Sequence, residues 1–116
     1  MTDRSTWKKR ERQIAAFFGG KRTPLSGGNS GGTRGDVIHP SLYVEAKLRK
    51  KHSVVSLWDD TAKQAKKEGK IPVICLCEKN RKNFWVLVHS DDLAEVSHVA
   101  SIAFLSKMRD EDIAGE

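Results

Sequence analysis

The stretch Gly35-Asp36-Val37-Ile38-His39-Pro40-Ser41-Leu42-Tyr43-Val44-Glu45-Ala46-Lys47 decides how the chain is read. Residues 36–39 read as a short strand and Pro40-Ser41 as a turn. Residues 42–48 then alternate, with Leu42, Val44, Ala46 and Leu48 on one face and Tyr43, Glu45 and Lys47 on the other. The two strands make a hairpin that returns Asp36 beside the end of the second strand, and Glu45 and Lys47 share a side. Two carboxylates on neighbouring strands offer oxygens to one hard divalent ion, which Mg²⁺ typically takes together with substrate phosphate and water. The peptide carbonyl between Glu45 and Lys47 adds a further oxygen. Lys47 beside them would orient or deprotonate an attacking water and stabilise developing negative charge. The constellation fits metal-assisted phosphodiester hydrolysis.

Upstream, a helix is expected from Ser5 or Thr6, either of which can cap, to Gly19-Gly20. Trp7, Ile14 and Phe18 fall on one helical stripe, and Glu11 lies on that same stripe. A carboxylate on a buried face is costly unless paired. Residues 19–35 hold seven of the nine glycines and show no hydrophobic periodicity, so they read as a flexible Gly/Ser-rich loop flanked by Lys21, Arg22 and Arg34. Downstream, Ser56 with Asp59 resembles a capping box ahead of a helix over 57–68 that ends at Gly69. Residues 71–78 and 84–89 read as apolar strands joined by a polar turn at 79–83. Ser90 with Asp91 and Asp92 opens a last helix. The order α-β-β-α-β-β-α describes an α/β domain in which helices flank a mixed sheet.

At 116 residues the chain is expected to be a single domain. Its charge of +6 is unevenly spread. Residues 1–82 hold 19 Lys/Arg against 8 Asp/Glu, and residues 83–116 hold 2 against 7. A basic body points to a polyanionic partner, most simply nucleic acid. The longest apolar-rich run without Lys, Arg, Asp or Glu, residues 96–106, is far below a membrane span, and no signal h-region is present. Cys75 and Cys77 lie two apart on one strand, where a disulfide would be badly strained. Buried free thiols in a reducing cytoplasm are expected, with no zinc-ligand spacing elsewhere. Residues 27–35 lack the G-K-[ST] ending of a P-loop, so no nucleotide cofactor is expected.

Gly35-Asp36, an eight-residue gap and Glu45-Ala46-Lys47 resemble the signature of the PD-(D/E)XK nuclease superfamily. More closely, residues 5–90 resemble Holliday junction resolvases of the archaeal type and their small phage-encoded relatives. The likeness includes an early-helix acid (Glu11), a Gly/Ser-rich basic loop before Asp36, a later helix bearing Gln64, and a Gly-Lys-Ile-Pro entry into an apolar strand. Gly35 stands where the motif has Pro, and the short gap implies a tight hairpin. The resemblance implies a restriction-endonuclease-like mixed β-sheet flanked by helices, a homodimer, and Mg²⁺ or Mn²⁺. It also implies that Glu11, Asp36 and Glu45 serve the metal, that Lys47 serves the nucleophile, and that Gln64 lies at the site edge. A phage-encoded enzyme would work in the host cytoplasm.

Residues expected to grip DNA are Arg10, Lys21, Arg22, Ser30, Arg34, Arg49, Lys50 and Lys51, because Lys and Arg supply sequence-independent affinity for phosphates. Lys63, Lys66, Lys67 and Lys70 either extend that track or serve helix solubility. The function expected is metal-dependent, structure-selective cleavage of branched DNA, foremost the four-way junction. Symmetric cleavage there needs two active sites and hence a C₂ dimer, with Phe84, Trp85 and the region 99–104 as apolar interface candidates. Two alternatives are a non-catalytic DNA-binding module on a nuclease fold and a nicking or restriction-type nuclease on ordinary duplex. None of the four histidines has ligand spacing.

Overall fold

A computed structural model of the chain describes residues 3–24 and 34–114. The backbone gathers into two compact units, Met1–Lys50 and Lys51–Glu116. The protein is mixed α/β, with three helices and two small antiparallel sheets among the described residues. The continuous mixed sheet expected from the sequence is not formed among these residues. Each sheet is a two-stranded antiparallel pair.

The first unit begins with α1 (Asp3–Phe17). Its stripe packs as read: Trp7, Ile14 and Phe18 are half-buried, and Ala15 and Glu11 are buried. The helix ends in a Schellman arrangement. Gly20 N–H donates to the Ala15 carbonyl at 2.8 Å and Gly19 N–H to that of Ala16 at 3.1 Å, with Gly19 at φ +72°. Gly20 is fixed for a different reason. A Cβ there would lie 2.5 Å from the Ile38 carbonyl oxygen and 2.7 Å from Val37 Cγ1, so only glycine lets the chain leave α1 this close to its neighbour.

That close approach is made by β1 (Lys21–Arg22), which pairs with β2 (Val37–Ile38) in the register Lys21↔Ile38 and Arg22↔Val37. The loop expected over 19–35 is therefore shorter. Its first four residues cap α1 and form a strand, while residues 25–33, including Ser30, lie outside the described residues. The expected hairpin between 36–39 and 42–48 is also changed. β2 takes its ladder partner from β1, and residues 42–48 touch β2 through one bridge, Val37↔Val44. Val44 and Ala46 still face inward, and Val37, wholly shielded from solvent, is the centre of this small core with Ala15 and Ala46.

The second unit contains α2 (Ser53–Lys67), β3 (Ile74–Leu76), β4 (Trp85–Leu87), a 3₁₀ turn (Ser90–Asp92) and α3 (Leu93–Ala114). α2 starts four residues before its expected position, at His52, whose side chain does not cap the helix. Val54, Trp58, Thr61, Ala62 and Ala65 complete one half-buried stripe, and that periodicity outweighs the capping resemblance at Ser56. The far end matches the reading. Lys70 N–H donates to the Ala65 carbonyl and Gly69 sits at φ +66°, another Schellman close.

β3 and β4 pair antiparallel as Ile74↔Leu87, Cys75↔Val86 and Leu76↔Trp85. Cys75 and Cys77 are free, as expected, but exposed rather than buried. Ile74 and Leu76 take the inner face of β3, so pleat alternation turns the cysteines outward. The 3₁₀ turn that leads into the last helix is capped by His89, whose Nδ1 accepts from Asp91 N–H at 3.1 Å, and not by Ser90. No helix among the described residues is long and apolar enough to cross a membrane.

Candidate functional site

Asp36 is the best-anchored of the candidate residues, and its backbone and side chain both bond. Its carbonyl accepts from Thr23 N–H at 3.1 Å, extending the β1–β2 ladder by one step, and its own N–H donates to the Val44 carbonyl at 2.7 Å. Its carboxylate Oδ2 accepts from Ala46 N–H at 2.6 Å. Thr23 Oγ1 donates to the Gly35 carbonyl at 2.8 Å and secures the preceding residue. Asp36 thus grips the chain on both sides of Glu45, through Val44 and Ala46. The expected return of Asp36 to the second segment is met at the backbone of Val44 and Ala46.

The turn itself is held by His39, whose Nδ1 accepts from the backbone N–H groups of Ser41 at 3.0 Å and Leu42 at 3.1 Å. That use of a histidine as a turn acceptor was not foreseen. A single histidine beside Pro-Ser offers little sequence signal for it.

Glu45 and Lys47 lie on one side of the segment, as the period of two requires, with Lys47 Nζ 3.3 Å from Glu45 Oε2. Both are exposed, so the pair adds little stability.

Glu11 has a different setting. It is only 7% exposed, and its Oε1 accepts from Arg22 Nε at 2.9 Å. Arg22 is itself only 19% exposed at the side chain, so its guanidinium faces α1. The buried-face carboxylate predicted to need a partner has one, supplied by β1. The partner could not be named from sequence, because Lys21-Arg22 lacks any strand pattern. Among the described residues no three His, Cys, Asp or Glu side chains gather closely enough to hold a metal ion. Glu11, Asp36 and Glu45 therefore do not form a three-acid cage here.

Electrostatics still favour the same region. The unit Met1–Lys50 carries eleven Lys/Arg and four Asp/Glu, and three of those four acids are Glu11, Asp36 and Glu45. Arg10, Lys21, Arg34, Arg49 and Lys50 are exposed within it. Lys51 and Gln64 belong to the second unit, both exposed, Gln64 on α2 beside Lys63.

Asp36 and Glu45 are the two carboxylates that this segment offers as oxygen donors. An ion of the Mg²⁺ class commonly uses one or two carboxylates and completes its shell with water and substrate phosphate. Asp36 commits one oxygen, Oδ2, to Ala46, and Glu45 is open to solvent. Compared with models of known families, with curated proteins and with solved structures, the chain matches none.

Proposed function

We propose that the protein is a metal-dependent DNA endonuclease of the PD-(D/E)XK type that cuts branched DNA, foremost four-way junctions. The observation that carries this reading is the double grip of Asp36 on residues 44–46. It sets one carboxylate against the segment bearing the Glu45–Lys47 pair, inside a strongly basic unit. Asp36 and Glu45 would hold Mg²⁺ or Mn²⁺, which when bound supplies charge neutralisation at the phosphate and an acidified water. Lys47 would present its ammonium to the attacking water and oppose charge building on the phosphoryl oxygens. Lys21, Arg34, Arg49 and Lys50 bind the phosphodiester backbone without reading sequence.

The test uses a labelled four-way junction and a matched linear duplex, each with Mg²⁺ or with EDTA. Cutting of the junction in Mg²⁺ alone, with the duplex intact, is expected. Equal cutting of both would reduce the reading to a general nuclease. No cutting of any DNA would leave a binding module.

Two symmetric cuts require two copies, and α3 supports a pair. Residues 97–111 are exposed throughout, and residues 96–106 carry no Lys, Arg, Asp or Glu. A helix that is apolar around much of its girth is usually covered. One face runs from small residues, Ser97, Ala100 and Ser101, to large ones, Phe104 and Leu105. An antiparallel copy about a two-fold axis near Ile102–Ala103 sets Phe104 over Ser101 and Leu105 over Ala100. The match is self-complementary, as an isologous interface requires. Over a helix about 33 Å long it would cover on the order of 1,000 Å² in total. Sedimentation is expected to give twice the 13.0 kDa chain mass, and Phe104→Glu to return it to one chain with an unchanged circular dichroism spectrum. A wild-type monomer at tens of micromolar would remove this assembly.

A further inference from the structure

The β3–β4 connection carries a group that the cleavage chemistry does not use. Residues 77–86 are all exposed, and the run Lys79-Asn80-Arg81-Lys82-Asn83-Phe84-Trp85 holds three cations and two large aromatics. The turn is locally fixed. Arg81 N–H donates to the Glu78 carbonyl at 3.2 Å, and Asn80 and Asn83 adopt φ of 66° and 65°, which asparagine tolerates better than most residues.

Arg81 is held from two sides. Its Nη1 lies 3.2 Å from Glu78 Oε1, and its Cζ lies 4.7 Å from the centre of the Trp85 ring, a cation–π distance. Trp85 is nonetheless 46% exposed and Phe84 56%. Exposed aromatics beside cations on a short hairpin match the chemistry of unpaired nucleotides. Every base offers a π-face to an aromatic ring, and its phosphate offers charge to Lys or Arg. A second copy of this chain is a poorer occupant, because a two-fold contact at the tip would bring Lys79, Arg81 and Lys82 against their own like charges.

We propose that the tip of the β3–β4 hairpin binds unpaired nucleotides, with a base stacked on Trp85 and phosphates on Lys79, Arg81 and Lys82. Stacking of this kind is tolerant of sequence but needs a base released from its neighbours. The ligand class is therefore single-stranded DNA or RNA, or the open centre of a branch, rather than continuous duplex. The proposal adds a binding site to the nuclease reading without depending on cleavage, since none of these residues belongs to the unit that bears Asp36 and Glu45.

The test is fluorescence anisotropy with the full-length chain in EDTA, titrated into a labelled thymidine oligonucleotide and into a matched duplex. Trp85→Ala is expected to weaken oligonucleotide binding about tenfold, and duplex binding less than twofold. Trp85→Phe, which keeps a stacking ring, should retain most of the affinity. Lys79→Ala with Lys82→Ala should flatten the salt dependence on the oligonucleotide by a slope of about 1.4. Wild-type oligonucleotide affinity in a folded Trp85→Ala chain would overturn the proposal. Equal losses on both ligands, or an altered sedimentation mass as the main consequence, would overturn it too, the last marking a protein-contact surface. An inert wild type in the cleavage assay would sink the nuclease and leave this site standing.

Discussion

Glu45→Ala is expected to abolish Mg²⁺-dependent cutting of the four-way junction while leaving its binding intact. The expected loss is large because a metal-assisted displacement draws several kcal/mol of charge stabilisation from its ion, which amounts to about a thousandfold in rate or more. Glu45 is exposed, and Lys47 is its one ion-pair partner among the described residues, so removing it costs the fold little. Binding should hold or tighten, because the change removes a negative charge that would repel the phosphates of bound DNA. Asp36→Ala should lose cutting equally and also cost stability, because the buried-side Ala46 N–H then lacks its 2.6 Å acceptor. Single-turnover cleavage, gel-shift affinity and thermal melting separate these effects. Full cutting by Glu45→Ala would sink the assignment of the metal to this segment.

How far the fold could be read from sequence depended on how local each signal was. Gly19 and Gly69 were legible as helix ends because a left-handed residue followed by a close of the last turn is a short-range device. The inward positions Val44 and Ala46 were legible from alternation alone. Their ladder was not. The Asp36 side chain takes the Ala46 N–H that a neighbouring strand's carbonyl would take in a continued sheet, and a short polar side chain competes with backbone pairing in this way. β1 was illegible for another reason. Two basic residues carry no period, and their partners Val37 and Ile38 lie some fifteen residues away across glycines. The start of α2 was misplaced because Ser56 and Asp59 imitate a cap, whereas the stripe from Val54 to Ala65 fixes the helix.

The same division holds at the candidate site. The side shared by Glu45 and Lys47, and the return of Asp36, follow from strand geometry and a tight turn. Both were legible in the sequence. The setting of Glu11 was half legible. Its position on the buried stripe announced a carboxylate in need of a partner, but the partner comes from a strand without a sequence signature. The aromatic hairpin tip was seen in sequence only as an apolar surface. Arg81 over Trp85, and the exposure of both, give it a cationic and stacking character instead.

Glu11→Ala is expected to destabilise the protein by about 3 kcal/mol, because it strands a largely buried guanidinium without its partner. Arg22→Leu alone should cost a similar amount by stranding the carboxylate. Glu11→Met combined with Arg22→Leu should recover most of the loss, since apolar side chains of like size often replace a buried ion pair at little cost. Melting temperatures of Glu11→Met, Arg22→Leu and the double variant, set against wild type, make the cycle and isolate the coupling between the two side chains. The cycle also decides what Glu11 does in cleavage. If its task is to pin α1 to β1, the stabilised double variant should cut the junction near the wild-type rate at a temperature where it is folded. If Glu11 leaves Arg22 to serve the metal once DNA arrives, the double variant should be folded and inactive. The 2.9 Å ion pair and the lack of a three-acid cluster among the described residues favour the first outcome. In that case Asp36 and Glu45 would provide the protein's share of the metal shell, with substrate phosphate and water completing it.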